Sequence, residues 1–252
     1  EFNPKVSQSR QDLLTPRLNP GYNTPYGAGC APIPFSNPAP ITIADNTIST
    51  PYGSPIAVSG LTGSISNIEL KLNGFSHTFP DDVGMVLVGP TGTAYLVQDG
   101  ATDHLIGNPA ANITYTISDV GAAAIPDTEP LTSGAIYQPA NYYAGDMFVA
   151  PGPLGTYQSP SSMMTLASTF GGTAPNGSWR LFVVDFADGD VGNITGGWSL
   201  NITPTSCTGG GVEGDVVDGG GSNVGDGFIL ANDVATIRQF VLNGGVPASV
   251  TN

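Results

Sequence analysis

Positive charge is scarce in this chain: its 252 residues contain six Lys and Arg against twenty Asp and Glu, for a formal charge of −14. Nucleic acids and anionic membrane surfaces attract proteins through clustered basic residues, so we expect neither as a partner. Only 10% of the residues are charged, whereas Gly and Pro contribute 35 and 22 residues. This composition is unusual for a cytosolic enzyme and is typical of secreted, turn-rich β-proteins.

Long hydrophobic runs are also missing, since none approaches the roughly 18 residues of a membrane-spanning helix. We therefore expect no membrane span. No signal peptide is visible, and the chain starts at Glu1 rather than at a Met. The expected explanation is a mature secreted product whose leader has been removed, or a fragment of a longer protein.

Catalytic motifs are absent as well. The two histidines, His77 and His104, are too few and too isolated for a zinc site with helical spacing. The sequence has no Gly-x-Ser-x-Gly elbow, no Walker phosphate loop and no His-Glu-x-x-His. We therefore expect no enzymatic activity, and we interpret His77 as a loop or edge residue.

The chain has two cysteines, Cys30 and Cys207. They bracket the β-rich part of the sequence, and the first and last strands of a sandwich are often neighbours. We predict a disulfide between them, worth roughly 5 kcal/mol through its constraint on the unfolded chain. Such a bond implies an oxidising, extracellular compartment. Two unrelated buried thiols are the alternative.

Residues 30–207 contain a series of short strand-like runs. Hydrophobic residues alternate with polar ones at 68–72, as in a half-buried strand, whereas 83–88 is apolar throughout. Gly- and Pro-rich turns separate the runs, and no helical stripe is visible. We predict an all-β fold, an antiparallel jelly-roll-type β-sandwich of about eight strands. The other predicted strands are 41–43, 93–97, 113–117, 179–186 and 198–203.

The two ends of the chain differ from this body. Residues 1–29 form a polar arm whose four prolines exclude a long helix. We expect either a disordered leader or an extended arm that adds a strand to a neighbouring subunit. Residues 208–252 are predicted to form a short Gly- and Asp-rich loop followed by a helix at about 232–242.

A loop crowded with carboxylates connects the last two predicted strands of the body. Asp185, Asp188 and Asp190 lie close in sequence among glycines, and they repel one another unless a cation lies between them. Asp81 and Asp82 form a second candidate pair. Ca²⁺ takes about 6–8 oxygen ligands from flexible loops, so we predict structural calcium at both places. Solvated turn aspartates are the alternative.

Several segments of the body carry a resemblance to a known family, and they keep their order and spacing. The segments are 77–93 (HTFPDDVGMVLVGPTGT), 117–119 (ISD), 177–185 (GSWRLFVVD), 189–192 (GDVG) and 197–198 (GW). With these segments, residues about 40–203 resemble the P-domain that follows the catalytic domain in proprotein convertases and kexin-like bacterial proteases. The resemblance implies a jelly-roll β-sandwich with structural calcium, in which Asp119 joins one of the clusters, and no catalytic function. In convertases this domain stabilises the adjoining protease.

The C-terminal part carries a second resemblance, in residues 215–218 (DVVD) and 225–240 (GDGFILANDVATIRQF). Residues about 214–243 resemble one repeat of a dockerin, the calcium-loop-plus-helix module that docks secreted proteins onto partners. The resemblance implies a cohesin-like or cell-surface protein as a partner. It also implies a further calcium loop, with ligands at Asp215, Asp218, Asp226 and Asp233.

Four Asn-x-Ser/Thr sequons are candidate glycosylation sites of a secreted protein. Two of them, at Asn112 and Asn201, fall on the predicted outward faces of their strands. The candidates are Asn112, Asn176, Asn193 and Asn201.

These features together predict a secreted, non-catalytic structural protein. Its arms cannot bury their apolar residues alone, so we expect copies to associate head to tail into an extracellular filament or surface layer. The alternative is an accessory attachment module of a longer secreted protease or hydrolase, acting through the dockerin-like tail. An unrecognised enzyme is the third interpretation.

Overall fold

The computed structural model describes residues 30–143 and 145–206, which belong to one compact unit. This part of the chain contains thirteen β-strands and one short α-helix. The prediction of an all-β fold is confirmed. The predicted arm at 1–29 and the loop and helix at 208–252 lie outside the described residues.

The larger sheet has eight strands, most of them paired antiparallel. Its main path runs β1-β13-β4-β7-β9-β8, and β12 pairs with both β2 and β4. The short strand β9 pairs in parallel with β7 and with β8. The strands are β1 (Ile33–Asn37), β2 (Ile41–Ile43), β4 (Thr62–His77), β7 (Ala110–Ile117), β8 (Ala123–Ala124), β9 (Ile136–Gln138), β12 (Gly192–Ile194) and β13 (Trp198–Ser206).

The smaller sheet has five strands in the order β10-β6-β5-β11-β3. All of its pairings are antiparallel except that of β10 with β6. A 3-10 helix, Pro80–Asp82, leads into β5, and the single-turn helix α1, Leu166–Phe170, precedes β11. The strands are β3 (Ser54–Val58), β5 (Val83–Val88), β6 (Ala94–Asp99), β10 (Ala140–Asn141) and β11 (Gly177–Asp185).

The two sheets share one hydrophobic core, to which strands of both contribute. The alternation predicted for β4 is present, because Ile68, Leu70 and Leu72 are fully buried. Trp179 and Trp198 come from opposite sheets and are also fully buried. Each indole N–H donates a hydrogen bond, to the Pro175 carbonyl (2.9 Å) and to Ser54 Oγ (3.0 Å) respectively, so neither buried ring leaves its polar atom without a partner.

A second apolar cluster covers the other face of the smaller sheet. Val86, Leu96 and Phe182 point into it from the sheet, and Phe148 packs onto them from the loop that follows β10. Strands covered on both faces need apolar residues at every position. This double burial explains why residues 83–88 show no alternation.

Only one of the two cysteines lies within the described residues. Cys30 is disulfide-bonded, whereas Cys207 lies outside the described residues, so the pairing of the two stays a prediction. The register of β1 against β13 pairs Ile33 with Ile202. Continued outward, that antiparallel register brings Cys30 opposite Thr205, two residues before Cys207. No helix of the described part is long and apolar enough to cross a membrane.

Candidate functional site

Strand pairing gathers five aspartates at one end of the smaller sheet. Asp82 directly precedes β5 and Asp185 ends β11, and the register pairs Asp185 with Val83. In the larger sheet the pairing of β2 with β12 likewise brings the loops that contain Asp45 and Asp190 together. We call this group the Asp185 cluster, and its members are Asp45, Asp82, Asp185, Asp188 and Asp190.

Hydrogen bonds tie the loops of the Asp185 cluster to one another. The Gly189 N–H donates to Asp45 Oδ1 (2.7 Å), and Asn46 Nδ2 donates to Asp188 Oδ1 (2.7 Å). The loop after β2 and the loop after β11 are therefore connected in both directions. This arrangement explains why the sequence places Asp and Gly side by side here.

A buried pair of ionisable side chains lies under the cluster. His77 Nε2 is 3.1 Å from Asp185 Oδ2, and both side chains are 0% exposed. The other ring nitrogen, Nδ1, is 2.9 Å from the Phe79 carbonyl oxygen, and Asp185 Oδ1 accepts the Ala187 N–H (3.1 Å). The interpretation of His77 as a loop or edge residue is wrong, because it ends β4 between β7 and β12.

The ionised form of Asp82 is disfavoured in this cluster. Burial, followed by repulsion from Asp185, Asp190, Asp81 and Asp45, raises the pKa of Asp82 to about 7. Burial also raises the pKa of Asp185, although the Ala187 N–H and His77 act against the increase. Carboxylates in this situation are stabilised either by a proton or by a cation.

The donor atoms of the cluster fit a hard cation in chemical type, because they are carboxylate oxygens on loops. Within residues 30–143 and 145–206, however, no three His, Cys, Asp or Glu side chains are placed to hold one metal ion together. An ion at the cluster would therefore need main-chain carbonyl oxygens and water to complete its coordination.

The predicted pair Asp81 and Asp82 does not form one site. Asp81 is 4% exposed and accepts a hydrogen bond from the Tyr143 hydroxyl (2.5 Å). Burial raises the pKa of Asp81, and Tyr143 and His104 lower it. The neighbours that act on Asp81 thus differ from those that act on Asp82, so the two adjacent carboxylates belong to different surroundings.

Two further aspartates, Asp99 and Asp146, lie in the surroundings of Asp81 and were missed by the sequence analysis. Burial, together with repulsion from Asp146 and Asp81, raises the pKa of Asp99 to about 8. Asp99 is 1% exposed, and neither of its carboxylate oxygens has a hydrogen-bond partner. The one sequence signal was an acidic residue directly after a mostly apolar run, Ala94–Asp99.

Asp119 lies apart from both groups and stabilises a helix. Its two carboxylate oxygens accept the Leu166 and Ala167 N–H groups at 2.9 and 2.7 Å. Thr165 and Ser168 complete the helix start with a capping box, so the first turn of α1 is well satisfied. Asp119 also lines a groove of about 480 Å³ together with Tyr95, Gln138, Asn141, Tyr142 and Thr165.

The four sequons occupy different environments. Asn112 is exposed on β7. Asn176 donates from its amide nitrogen to a main-chain carbonyl (2.7 Å), and Asn201 donates to the Glu69 carboxylate (3.3 Å). Asn193 is partly buried in β12, and its side-chain oxygen has no partner. Asn112 is therefore the best placed of the four for a glycan.

The predicted calcium ligands of the C-terminal loop lie outside the described residues and stay predictions. They are Asp215, Asp218, Asp226 and Asp233.

Comparisons with known proteins add little to this picture. No protein-family model matches the chain, and no curated protein is similar to it. A solved complex of a serine protease of Aeromonas sobria with its chaperone is 16% identical with a TM-score of 0.35, over 79% of this chain and 29% of that one. The serine protease of Aeromonas sobria alone is 16% identical with a TM-score of 0.31, over 77% of this chain and 28% of that one.

The chain thus spans less than a third of the length of the proteases that it matches. A likeness at these TM-scores carries no argument about function. The resemblances to a P-domain and to a dockerin therefore stay predictions from the sequence.

Proposed function

We propose that the protein is a secreted, non-catalytic structural subunit that is stabilised by Ca²⁺ and associates with copies of itself into an extracellular filament or surface layer. The observation that carries the proposal is that β1, the first described strand after the N-terminal arm in sequence, lies at an edge of the larger sheet. β1 pairs only with β13 among the described strands, and it begins three residues after Cys30. An unpaired edge is a template for a strand from another chain.

Charge supports the same arrangement. Residues 30–206 contain two basic residues, Lys71 and Arg180, against thirteen Asp and Glu. Residues 1–29 contain three basic residues, Lys5, Arg10 and Arg17, against two acidic ones. The arm of one copy is therefore attracted to the body of the next, which favours association between subunits over repulsion.

Two features support a structural role over catalysis. The ion pair seen in the described residues, His77 with Asp185, is 0% exposed at both side chains, so a substrate has no access to it. The disulfide at Cys30 is typical of secreted and cell-surface proteins, in which it stabilises the fold against unfolding.

Calcium at the Asp185 cluster would act as a brace in this proposal. The ion would supply the positive charge that the cluster lacks and would join the loop after β2 to the loop after β11. The residues that would hold it are Asp82, Asp188 and Asp190, with main-chain oxygens and water, because both oxygens of Asp185 are already engaged by His77 Nε2 and the Ala187 N–H. No ligand geometry is implied beyond this oxygen set.

The test of assembly compares three proteins by light scattering and negative-stain microscopy, with and without a calcium chelator. The full chain should form filaments or large oligomers. Removal of residues 1–29 should leave a folded monomer, and so should the charge reversal of Lys5, Arg10 and Arg17 to Glu. The matched control reverses Lys71 and Arg180, both exposed on the body, and should still assemble.

Assembly that persists without residues 1–29 would overturn the proposed mechanism. A full chain that stays monomeric under every condition would overturn the function itself and would favour the attachment-module alternative. Loss of assembly in chelator without loss of folding would place calcium in the interface instead of within the subunit.

A further inference from the structure

Asp99 is a buried carboxylate that the protein leaves without a partner. It ends β6, is 1% exposed, and has no hydrogen-bond donor on either Oδ1 or Oδ2. Burying an unpaired carboxylate costs several kcal/mol or more, so folded proteins pair such a group, neutralise it or bind an ion with it. Something other than a protein donor must therefore satisfy Asp99.

The neighbours of Asp99 make its ionised form still less favourable. Asp81 and Asp146 act on it as like charges, and Asp81 is itself buried. Neither basic residue of the described part forms an ion pair there, since the ion pair found among these residues is His77 with Asp185. Two further acidic groups thus act on Asp99, and no ion pair found among the described residues offsets them.

The missing side chain of Gly84 allows the Asp99 carboxylate and two aromatic rings to pack closely together. A Cβ at Gly84 would lie 3.1 Å from Asp99 Oδ1 and 2.5 Å from Phe186 Cε2, so only glycine fits between them. Phe186 also packs against Phe148, with ring centroids 5.6 Å apart. The acidic neighbours that act on Asp99 are Asp146 and Asp81, whereas neither Asp185 nor Asp190 is among them, so the two acidic regions are treated as distinct.

We propose that Asp99, with Asp81 and Asp146, binds a divalent cation of the calcium type at a second site, separate from the Asp185 cluster. The side chains offer oxygen ligands, which Ca²⁺ prefers and which do not favour Zn²⁺ or Cu²⁺. Because no three acidic side chains of the described residues are already placed around one point, main-chain oxygens and water complete the shell. The proposal does not depend on self-assembly.

Each side chain has a defined part in this site. Asp99 is the buried ligand, with both oxygens free to coordinate. Asp81 keeps one oxygen on the Tyr143 hydroxyl and contributes the other. Asp146 lies on the loop after β10, whose main chain accepts the Tyr157 hydroxyl at its carbonyl (2.6 Å). The ion would therefore fix this loop to the end of β6.

The experiment counts calcium ions on the full chain after removal of metal by chelator and gel filtration. Isothermal titration with CaCl₂ gives the stoichiometry, and scanning calorimetry gives the melting temperature with and without the ion. Asp99→Asn keeps the shape of the side chain and removes its charge. It should bind one calcium ion fewer than the wild type and lose the corresponding rise in melting temperature. Asp127→Asn, an exposed acid that acts on Asp81, should change neither.

Asp146→Asn provides a second test in case Asp99→Asn fails to fold, because Asp146 is only partly buried. It should weaken calcium binding at this site by about tenfold or more and leave the other calcium sites unchanged. Asp190→Asn should remove the ion of the Asp185 cluster alone, which separates failure of that proposal from failure of this one. Unchanged stoichiometry in Asp99→Asn, with a higher melting temperature in chelator, would show that Asp99 carries a proton and would overturn the site.

Discussion

The two acidic regions of the protein lie at one end of the same sheet, yet they satisfy their charges differently. In the Asp185 cluster, Asp45, Asp185 and Asp188 each accept a hydrogen bond from the protein, and His77 lies against Asp185. At the second site neither carboxylate oxygen of Asp99 has a hydrogen-bond partner. The first arrangement joins its loops partly through hydrogen bonds within the protein, whereas Asp99 depends entirely on a proton or an ion.

The largest expected effect follows from removing the protein partner of the buried Asp185 carboxylate. His77→Ala leaves Asp185 buried without its neighbour, and loss of one member of a buried pair costs about 3–5 kcal/mol. Urea unfolding of the metal-free protein measures the change. His104→Ala, at an exposed position, should stay within about 0.5 kcal/mol. Equal effects of the two variants would show that the pair contributes nothing.

The pH dependence of stability should distinguish the two acidic regions, because each contains a carboxylate with a raised pKa. In the metal-free protein, burial and then like charges raise the pKa of Asp82 to about 7 and of Asp99 to about 8, both from 3.8. The folded state therefore holds more protons than the unfolded state between about pH 4 and 8, and stability falls as the pH rises through that window. Chemical unfolding between pH 4 and 9 in chelator measures this loss.

Each of the two regions contributes its own part of this loss of stability. Asp99→Asn should remove the part of the loss closest to pH 8, since the amide does not titrate. Asp127→Asn serves as the exposed control and should keep it. Added calcium should flatten the curve of the wild type, because a bound cation replaces the proton at both regions. A wild-type curve that is flat in chelator would contradict the raised pKa of both groups.

The sequence predicted the sheets well because their signals are local. Strand β5 was predicted at its observed bounds, 83–88, and the alternation of β4 identified its buried face. Strands β1 and β3 were missed, since a proline in each masks the pattern and their burial depends on partners distant in sequence. The arm and the C-terminal helix lie outside the described residues and stay predictions.

The acidic sites were harder to predict, because their partners meet only through the fold. The loop with Asp185, Asp188 and Asp190 was conspicuous in sequence, but His77 lies 108 positions from Asp185. Asp99 stands alone in its segment and gave no cluster to detect. The adjacent pair Asp81 and Asp82 suggested one site, whereas the turn at Pro80–Asp82 directs its two carboxylates into different regions.

A smaller effect is expected at Gly84, which lies beside Asp99 and Phe186. An added methyl group would lie 2.5 Å from Phe186 Cε2 and 3.1 Å from Asp99 Oδ1. Gly84→Ala should therefore destabilise by about 1–3 kcal/mol through overpacking and should weaken calcium binding at Asp99. Gly145→Ala is the matched control, because no atom lies within 4 Å of its added methyl group. Thermal unfolding and calcium titration of both variants measure the difference.

The smallest effect concerns Asp119, which the family resemblance assigns to a calcium cluster and the structure places at a helix start. Its carboxylate accepts two N–H groups of the first turn of α1, and loss of such a cap costs about 1 kcal/mol. If capping is its whole role, Asp119→Ala should lose the same stability in calcium and in chelator, because no ion is involved. Ser162→Ala, in the loop before α1 and exposed, should change little in either condition. A loss confined to calcium-loaded protein would instead make Asp119 a ligand, and the division of the aspartates into partnered and ion-dependent groups would have to be redrawn.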